Sequence, residues 1–302
     1  MSVFFASVAS GSNGNCYYVG NHSEAVIVDA GISCRQLEFR MNRMGLAMEK
    51  VKAVFISHEH ADHIFGLATL VKKWQIPVYI TSSTLRNSRL SLDPSLVQDF
   101  SCGQKITIGA LEILPFLKTH DAADPHSFLV SYGNTRIGIF TDIGNCCERV
   151  VHYFRQCHAV ILEANYDEDM LEQGKYPIYL KARIRGGKGH LSNKEALDLF
   201  VKHRAAHLRH LILGHLSKNN NCPELVGRIF SEHAMETQIT VASRFQESPV
   251  YQLPVNGNEE ISIYNEQLDY PSMANAMLSK RKKAFHFSTP SNTSSQLRLS
   301  FE

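Results

Sequence analysis

The most informative segment of this 302-residue chain is Phe55-Ile56-Ser57-His58-Glu59-His60-Ala61-Asp62-His63. It completes an apolar run over 51–56 that predicts a strand. In extended chain, residues two apart point to the same side, so His58 and His60 can bind one ion together. A helix predicted to begin near residue 64 would deliver Asp62 and His63 from the other side of the turn. Imidazole and carboxylate suit zinc and neighbouring divalent metals, and these ligands exceed the needs of one tetrahedral ion, so we predict two metals.

The composition is that of a globular protein and excludes several classes. Hydrophobic residues make up 44% and charged residues 20% of the chain, which is long enough to bury a large core. The net charge is only +2, so any binding to nucleic acid requires a local basic patch. No run reaches the roughly 18 apolar residues of a membrane span. Seven cysteines, an odd number, favour a reducing compartment over a disulfide framework, and we expect a cytoplasmic protein.

The order of the predicted elements indicates the fold class. Short strand-like runs come first in dense succession, and strands then mix with helical periodicity, which is typical of a layered α/β protein with more than one sheet. From residue 256 onward Asn, Ser, Thr and Pro accumulate and the periodicity is lost. We therefore expect a catalytic domain over 1–255 and a largely disordered C-terminal tail over 256–302.

The pattern H-x-H-x-D-H at 58–63 resembles the signature of the metallo-β-lactamase-fold hydrolases. Four further positions match that family in order. Asp29 ends an early predicted strand, His120 lies in Lys-Thr-His-Asp, and Asp142 and His215 each follow a predicted strand. The resemblance implies an α/β (α+β) fold, the metallo-β-lactamase-like αββα four-layer sandwich.

The same resemblance implies a ligand set for two divalent ions, with zinc as the first choice and manganese as the alternative. One ion would take His58, His60 and His120. The other would take Asp62, His63 and His215, with Asp142 between the two ions, and Asp29 would orient the metal-binding loop from behind. His126, six residues after His120, is a competing candidate for the third histidine.

Longer strings resemble one branch of the superfamily, the bacterial YycJ/WalJ family. They lie at 10–15, 120–125, 163–167, 189–193 and 215–217, and the similarity covers about residues 2–251. Members of that family are regarded as DNA exonucleases acting from the 5′ end, with a proposed role in mismatch repair. Only residues 143–214 separate Asp142 from His215, which leaves no room for the large inserted domain of the RNA-processing exonucleases.

A basic segment at 174–190 lies within that interval and contains no acidic residue. Tyr176 and Tyr179 are interleaved with its cations, a combination that suits a phosphate backbone with bases stacking beside it. The predicted DNA-binding residues are Lys175, Lys181, Arg183, Arg185 and Lys188. The alternative is a solvated loop whose charge is balanced by nearby acidic residues.

If the reaction is phosphodiester hydrolysis, further residues have candidate roles in catalysis and binding. Two metals can lower the pKa of bound water, and a bridging hydroxide would attack phosphorus, with Asp62 as a candidate proton acceptor. His190 is a candidate to protonate the leaving oxygen or to grip the scissile phosphate; the alternative is an incidental histidine before a helix cap at Ser192. Backbone amides of residues 11–15 could hold a terminal phosphate.

The chain ends in a segment, 296–301, that resembles the peptide by which bacterial repair proteins bind the sliding clamp. Its candidate contacts are Gln296, Leu297, Leu299 and Phe301, and a chance match is the alternative.

Two other functions remain open from the sequence. One is an RNase or a small-molecule (thioester or lactone) hydrolase of the same fold. The other is a non-catalytic, metal-stabilised adaptor, although structural zinc sites are usually closed by protein ligands.

Overall fold

The computed structural model describes residues 1–255 and 261–264. The strands in this part of the chain, in order, are β1 (Ser2–Ala9), β2 (Cys16–Gly20), β3 (Ala25–Val28), β4 (Val51–Phe55), β5 (Val78–Tyr79), β6 (Val97–Gln98), β7 (Ile106–Ile108), β8 (Leu111–Leu117), β9 (His126–Tyr132), β10 (Thr135–Phe140), β11 (Ala159–Glu163), β12 (His210–Gly214), β13 (Gln238–Val241), β14 (Tyr251–Pro254) and β15 (Ser262–Ile263).

The α-helices lie between these strands. They are α1 (Cys34–Arg43), α2 (Ala61–Ile64), α3 (Leu67–Trp74), α4 (Ser82–Ser88), α5 (Glu148–Phe154), α6 (Glu168–Gln173), α7 (Ile178–Arg185), α8 (Asn193–His203) and α9 (Pro223–Ser231). Local chemistry sets several of their ends. Ser192, for example, forms a capping box with Glu195 at the start of α8, and Pro223 occupies the first turn of α9, where its missing N–H costs nothing.

The strands form two sheets. The first has the order β15-β14-β1-β2-β3-β4-β5-β6 and the second β13-β12-β11-β10-β9-β8-β7. In the first sheet β3 and β4 are parallel, with Val28 opposite Phe55. In the second, β10, β11, β12 and β13 run parallel to one another, with Glu163 opposite Gly214. The carboxyl ends of these parallel strands therefore lie at a common edge of each sheet.

Three apolar cores separate four layers. The strands alternate their side chains, so Phe55 and Phe128 meet between the two sheets with ring centroids 5.7 Å apart. Leu37 and Leu70 pack α1 and α3 onto the outer face of the first sheet. Phe200 packs α8 onto the outer face of the second sheet, together with residues of α5 and α9. The predicted αββα sandwich is confirmed.

The domain boundary predicted at 255 lies too early in the chain. β15 pairs with β14, with Ile263 opposite Tyr251, and Tyr264 packs on Phe4 with ring centroids 4.4 Å apart. Alternating apolar residues at 261–264 supply the edge strand after the polar run 256–260. The fold thus extends through residue 264. The predicted tail disorder at 256–260 and 265–302 and the candidate clamp peptide at 296–301 lie outside the described residues.

Two further findings concern helices. The basic segment at 174–190, considered above as a loop, contains α7, in which no residue is buried. Its periodicity escapes sequence analysis because no face of this helix packs on a core. None of the helices within 1–255 and 261–264 is long and apolar enough to cross a membrane.

Candidate metal centre

Three of the site residues lie just after strand ends and have a left-handed backbone conformation. Asp29 follows β3 and has φ 63°, Asp142 follows β10 with φ 53°, and His215 follows β12 with φ 55°. Left-handed backbone is unfavourable for residues other than glycine and clusters at functional sites. Behind this turn, a Cβ on Gly31 would lie 1.6 Å from the carbonyl oxygen of Asp62, so only glycine allows the loop after β3 to pass the loop after β4.

One group of predicted ligands consists of three imidazoles. His58 Nε2 lies 3.1 Å from His60 Nδ1, which lies 3.3 Å from His120 Nε2. His58 and His120 are buried, whereas His60 is partly exposed. These nitrogen atoms converge closely enough to share one ion.

A second group lies beside the first. His63 Nε2 is 3.5 Å from Asp62 Oδ2, and His215 Nε2 is 3.4 Å from the same oxygen. Asp142 stands between the groups, with Oδ2 3.1 Å from His63 Nε2 and Oδ1 3.7 Å from His120 Nε2. The structure thus brings together every residue predicted as a metal ligand.

Hydrogen bonds fix the proton positions on two of these rings. The Ser57 hydroxyl donates to Asp29 Oδ2 at 2.8 Å, so it can only accept from Nδ1–H of His58 at 2.9 Å. Nδ1–H of His63 donates to the same Asp29 oxygen at 2.7 Å. On both rings Nδ1 is therefore occupied and Nε2 points toward the centre, which leaves Nε2 as the nitrogen that a metal would bind. Asp29 occupies the position behind the loop at which sequence analysis expected it.

The other two buried rings are oriented in the same way. His120 Nδ1–H donates to the carbonyl oxygen of Gly189 at 3.0 Å. His215 Nδ1–H donates to Glu163 Oε1 at 2.8 Å. His126 begins β9 and contacts the Asp124 carbonyl at 3.0 Å instead of joining either group, so His120 and not His126 is the third histidine of the cluster.

The charge of the centre fits divalent cations. Carboxylates of Asp29, Asp62, Asp142 and Glu163 surround it, and Asp142 Oδ2 is buried without a hydrogen bond. Burial would lower the pKa of His63, but Asp142, Asp29 and Asp62 together raise that pKa to about 10. The carboxylates thus draw positive charge to this point, and a bare imidazole and carboxylate set is what zinc and its neighbours bind.

Sequence analysis missed Glu163 as a site residue. This carboxylate ends β11 and is fully buried. Burial would raise its pKa, but the His190 and His215 rings outweigh burial and hold the pKa at about 2. Glu163 Oε1 accepts from His190 Nδ1 at 2.7 Å as well as from His215, so one ionised group orients both rings. A charged residue ending an otherwise apolar strand was the available signal.

Lys118 is a second site residue that sequence analysis missed. It is buried, and its ammonium donates to the carbonyl oxygen of Thr141 at 2.7 Å, directly before Asp142. Burial lowers its pKa, while Asp142 and Asp29 act in the opposite direction. A cation beneath the carboxylates holds the turn after β10 in place.

The basic segment touches the centre at its C-terminal end. Besides the bond from His120 to Gly189, the carbonyl of Gly187 accepts from Asn145 Nδ2 at 3.0 Å. Arg183 pairs with Asp121 at 2.5 Å.

The cations of this segment are only partly neutralised. Arg185 pairs with Glu172 at 2.9 Å, and Lys181 donates to the carbonyl oxygen of that glutamate. Lys175 and Lys188 are exposed, and within 1–255 and 261–264 neither forms a salt bridge.

Three amides of the loop at 11–15, predicted to hold a phosphate, bond within the protein instead. The amide of Gly11 donates to Asn15 Oδ1, the amide of Gly14 to the Gly11 carbonyl, and the amide of Asn15 to the Asp62 carbonyl. These three amides already have acceptors within the protein and are not free to bind a phosphate. Asn15 Nδ2 lies 3.1 Å from both Asp62 Oδ2 and His63 Nε2, so the loop supports the metal-binding turn instead.

Comparison with known proteins agrees with this geometry. The pattern of the Metallo-beta-lactamase superfamily matches residues 9–145. Exodeoxyribonuclease YycJ of Bacillus anthracis is 33% identical over 250 residues, which cover 82% of this chain and 94% of that protein. The chain belongs to the YycJ/WalJ family of metallo-β-lactamase-fold proteins. The predicted family is confirmed, and the protein is a metal-dependent hydrolase.

Two other proteins extend the comparison. Exodeoxyribonuclease WalJ of Streptococcus pneumoniae serotype 2 is 29% identical over 247 residues, 80% of this chain and 92% of that protein. The crystal structure of the metallo-β-lactamase fold protein YhfI from Bacillus subtilis superposes with a TM-score of 0.66 over 83% of this chain and 99% of that chain, at 17% identity. The latter likeness concerns the fold alone.

Proposed function

We propose that this protein is a DNA exonuclease that degrades strands from the 5′ end and serves DNA repair in the cytoplasm. The observation that carries the proposal is the 33% identity to an exodeoxyribonuclease over 94% of that relative's length. The partly exposed His60, Asp62 and His190 support it, because they leave the front of an otherwise buried cluster accessible to a large substrate.

The proposed ligands are the two convergent groups. His58, His60 and His120 would hold one divalent ion; Asp62, His63 and His215 would hold the other, with Asp142 shared and zinc preferred over manganese. Such ions, when bound, lower the pKa of water and stabilise charge that develops on phosphate oxygens.

Two side chains at the open front of the cluster are proposed to move protons. Asp62 is partly exposed, and burial, which would raise its pKa, is outweighed by His63 and His215, so the carboxyl stays ionised and can accept a proton. His190 is proposed to protonate the leaving 3′ oxygen. Because its Nδ1–H is held by Glu163, its Nε2 is the atom that exchanges the proton.

The basic segment is proposed to bind the DNA backbone. It is anchored to the centre at Gly187 and Gly189. Lys175, Lys181, Arg183, Arg185 and Lys188 would contact phosphates, and Tyr179, whose side chain is exposed, would stack on a base. The surface pairs of Arg183 and Arg185 cost little to exchange for phosphate contacts.

A competition experiment separates the proposed function from its alternatives. The metal-loaded protein should hydrolyse bis(p-nitrophenyl) phosphate, and single-stranded DNA should inhibit this reaction with a Ki that rises steeply with salt. Equal inhibition by RNA would favour an RNase. Turnover of thioesters or lactones without inhibition by oligonucleotides would favour a small-molecule hydrolase. Bound metal with no turnover of any substrate would favour the adaptor.

We also propose that residues 296–301 bind the sliding clamp, because the tail can connect the enzyme to a clamp on DNA. Deleting residues 296–302 should abolish retention on immobilised clamp and leave cleavage of free DNA unchanged. Retention of the truncated chain would disprove this proposal without affecting the nuclease proposal.

A further inference from the structure

A cavity opens beside the metal centre. Its volume is about 380 Å³, within the range of small-ligand sites, and large enough for one nucleotide. Its lining includes the apolar side chains of Leu216 and Val241 and the polar side chains of Ser10, Lys218 and Arg244. Phe245, whose side chain is 78% exposed, stands at its wall.

The cavity shares its wall with the metal centre. Ser10 Oγ accepts the backbone N–H of His215 at 2.8 Å, and Leu216 directly follows that proposed ligand. The Arg244 guanidinium donates to the carbonyl oxygen of Leu216 at 2.7 Å. A ligand in the cavity would therefore lie next to the groups that hold the second ion.

The cations of the cavity lack acidic partners. Within 1–255 and 261–264, neither Arg244 nor Lys218 forms a salt bridge. Arg244 is partly buried, and burial lowers its pKa with no carboxylate opposing that effect. Burying a guanidinium that has only one carbonyl partner costs free energy, and a bound anion would offset that cost.

We propose that this cavity binds the 5′-terminal nucleotide of the DNA strand, with its phosphate monoester on Arg244 and Lys218. The proposal rests on the proposed nuclease function and adds to it the subsite that recognises the end. A phosphate monoester carries close to two negative charges at neutral pH, one more than an internal phosphodiester, which matches two cations. Leu216 and Val241 would contact the sugar and base, and Phe245 would stack on the base.

The proposed arrangement explains how the described fold could act at a strand end. With its end seated in the cavity, the strand would present an adjacent phosphodiester to the metal centre, since Ser10 and Leu216 belong to both walls. Cleavage would then release one nucleotide and a new 5′ end would enter. It also places terminal phosphate recognition on side chains of the cavity, since the amides of Gly11, Gly14 and Asn15 are already bonded within the protein.

The test compares 5′-phosphorylated and 5′-hydroxyl oligonucleotides of the same sequence. The wild-type protein should prefer the phosphorylated end at least tenfold in kcat/KM. Arg244→Gln should reduce the preference, taken as the ratio of the two kcat/KM values, to threefold or less. Lys218→Gln, an exposed position, should act in the same direction. Arg209→Gln, at the opposite end of β12 from His215, serves as the control and should retain the preference. An equal preference in wild type and Arg244→Gln would overturn the proposal.

A binding measurement keeps the two proposals separable. Titration calorimetry with thymidine 5′-monophosphate should show at least tenfold weaker binding to Arg244→Gln than to wild type, with thymidine as the uncharged comparison. If DNA is not cut but this loss is found, the nuclease proposal fails and the anion site stands. If DNA is cut but neither the preference nor the affinity depends on Arg244, the cavity proposal fails alone. Unchanged affinity of Arg244→Gln for thymidine 5′-monophosphate would contradict the cavity proposal and would favour binding of the phosphate at the metal centre.

Discussion

At the scale of single residues, the centre depends on hydrogen bonds that stand behind the ligands. Asp29 Oδ2 accepts hydrogen bonds from the Ser57 hydroxyl and from the His63 ring, and the Ser57 hydroxyl in turn accepts one from the His58 ring. One carboxylate thus determines which nitrogen of two imidazoles is free. The left-handed backbone of Asp29 itself aims this carboxylate beneath the loop after β4.

Ser57→Ala tests this relay with the loss of one oxygen. Without the hydroxyl, Nδ1 of His58 loses its acceptor, so the ring is free to rotate and to change tautomer. We expect the affinity for zinc to fall by about 10- to 100-fold, as for other partners of metal-binding histidines. Competition with a zinc chelator measures the loss. Ser231→Ala, at the exposed end of α9, should leave the affinity unchanged; an unchanged affinity in Ser57→Ala would contradict the relay.

His190→Gln tests the proposed proton donor. DNA cleavage should fall by about 10²- to 10⁴-fold, because the 3′ oxygen needs a proton as it leaves. Hydrolysis of thymidine 5′-(p-nitrophenyl phosphate) should change little, because nitrophenolate leaves without one. The ratio of the two rates is the measurement, with metal content determined on the same samples. An equal loss on both substrates would assign His190 to phosphate or metal binding instead.

At the scale of elements, the parallel strands explain why distant sequence positions meet. The ends of β10, β11 and β12 lie side by side, so Asp142, Glu163 and His215 are neighbours although they are far apart in the chain. The first sheet presents the ends of β3 and β4 in the same way.

The basic segment with α7 makes a prediction at this scale. Lys175→Gln with Lys188→Gln removes two exposed cations of the segment, neither of which forms a salt bridge in the described part of the chain, and we expect weaker binding of duplex DNA. The slope of log K against log salt should flatten by about two, since each lost phosphate contact contributes about 0.9. Anisotropy titrations at several salt concentrations measure the slope. Lys105→Gln, which breaks a surface pair with Glu112, should leave the slope unchanged. The same slope in the double variant would exclude these lysines from the interface.

His210, at the start of β12, makes the fold sensitive to acid. Its ring is buried against Tyr251, with centroids 4.0 Å apart, and Nε2 contacts Thr240 Oγ1 at 3.0 Å. Burial lowers its pKa from 6.5 to about 3. Below about pH 6.5 the unfolded chain therefore binds a proton at His210 that the folded chain does not bind. The contribution of His210 to the free energy of unfolding is fully present above that pH and is lost as the pH falls toward 3.

The variant His210→Phe should remove this component. Between pH 7 and pH 5 the wild-type free energy of unfolding should fall by about 2 kcal/mol more than that of the variant. Urea denaturation at both pH values, at one fixed metal concentration, gives the difference. A fall of equal size in both proteins would show that His210 does not titrate on unfolding.

Much of the fold and the proposed centre follows from sequence because ligands and strands carry local patterns. The run before His58 and the dense set of histidines and aspartates are visible without any structure. β14 was missed because it is short and pairs with β1 from the other end of the chain, and β15 was missed because it is a two-residue edge strand after a polar run. α7 was missed because it buries no residue, and the cavity because Ser10, Lys218 and Arg244 meet only in the folded chain.

At the scale of the whole molecule, we propose that this αββα sandwich uses its strand-end cluster to remove nucleotides from DNA ends. The two sheets bring their ligand-bearing edges together across one core, and the basic segment and the cavity flank that edge. This function requires that cleavage depends on metal, that it proceeds from the 5′ end and that the substrate is DNA. A single experiment addresses all three.

That experiment is a time course on duplex and single-stranded DNA labelled at the 5′ or the 3′ end, with matched RNA, in the presence of zinc or manganese and after chelation. We expect metal-dependent release of mononucleotides from the 5′ end of DNA, abolished in Asp142→Ala. No cleavage of any nucleic acid by a protein that binds two metal ions per chain would contradict it.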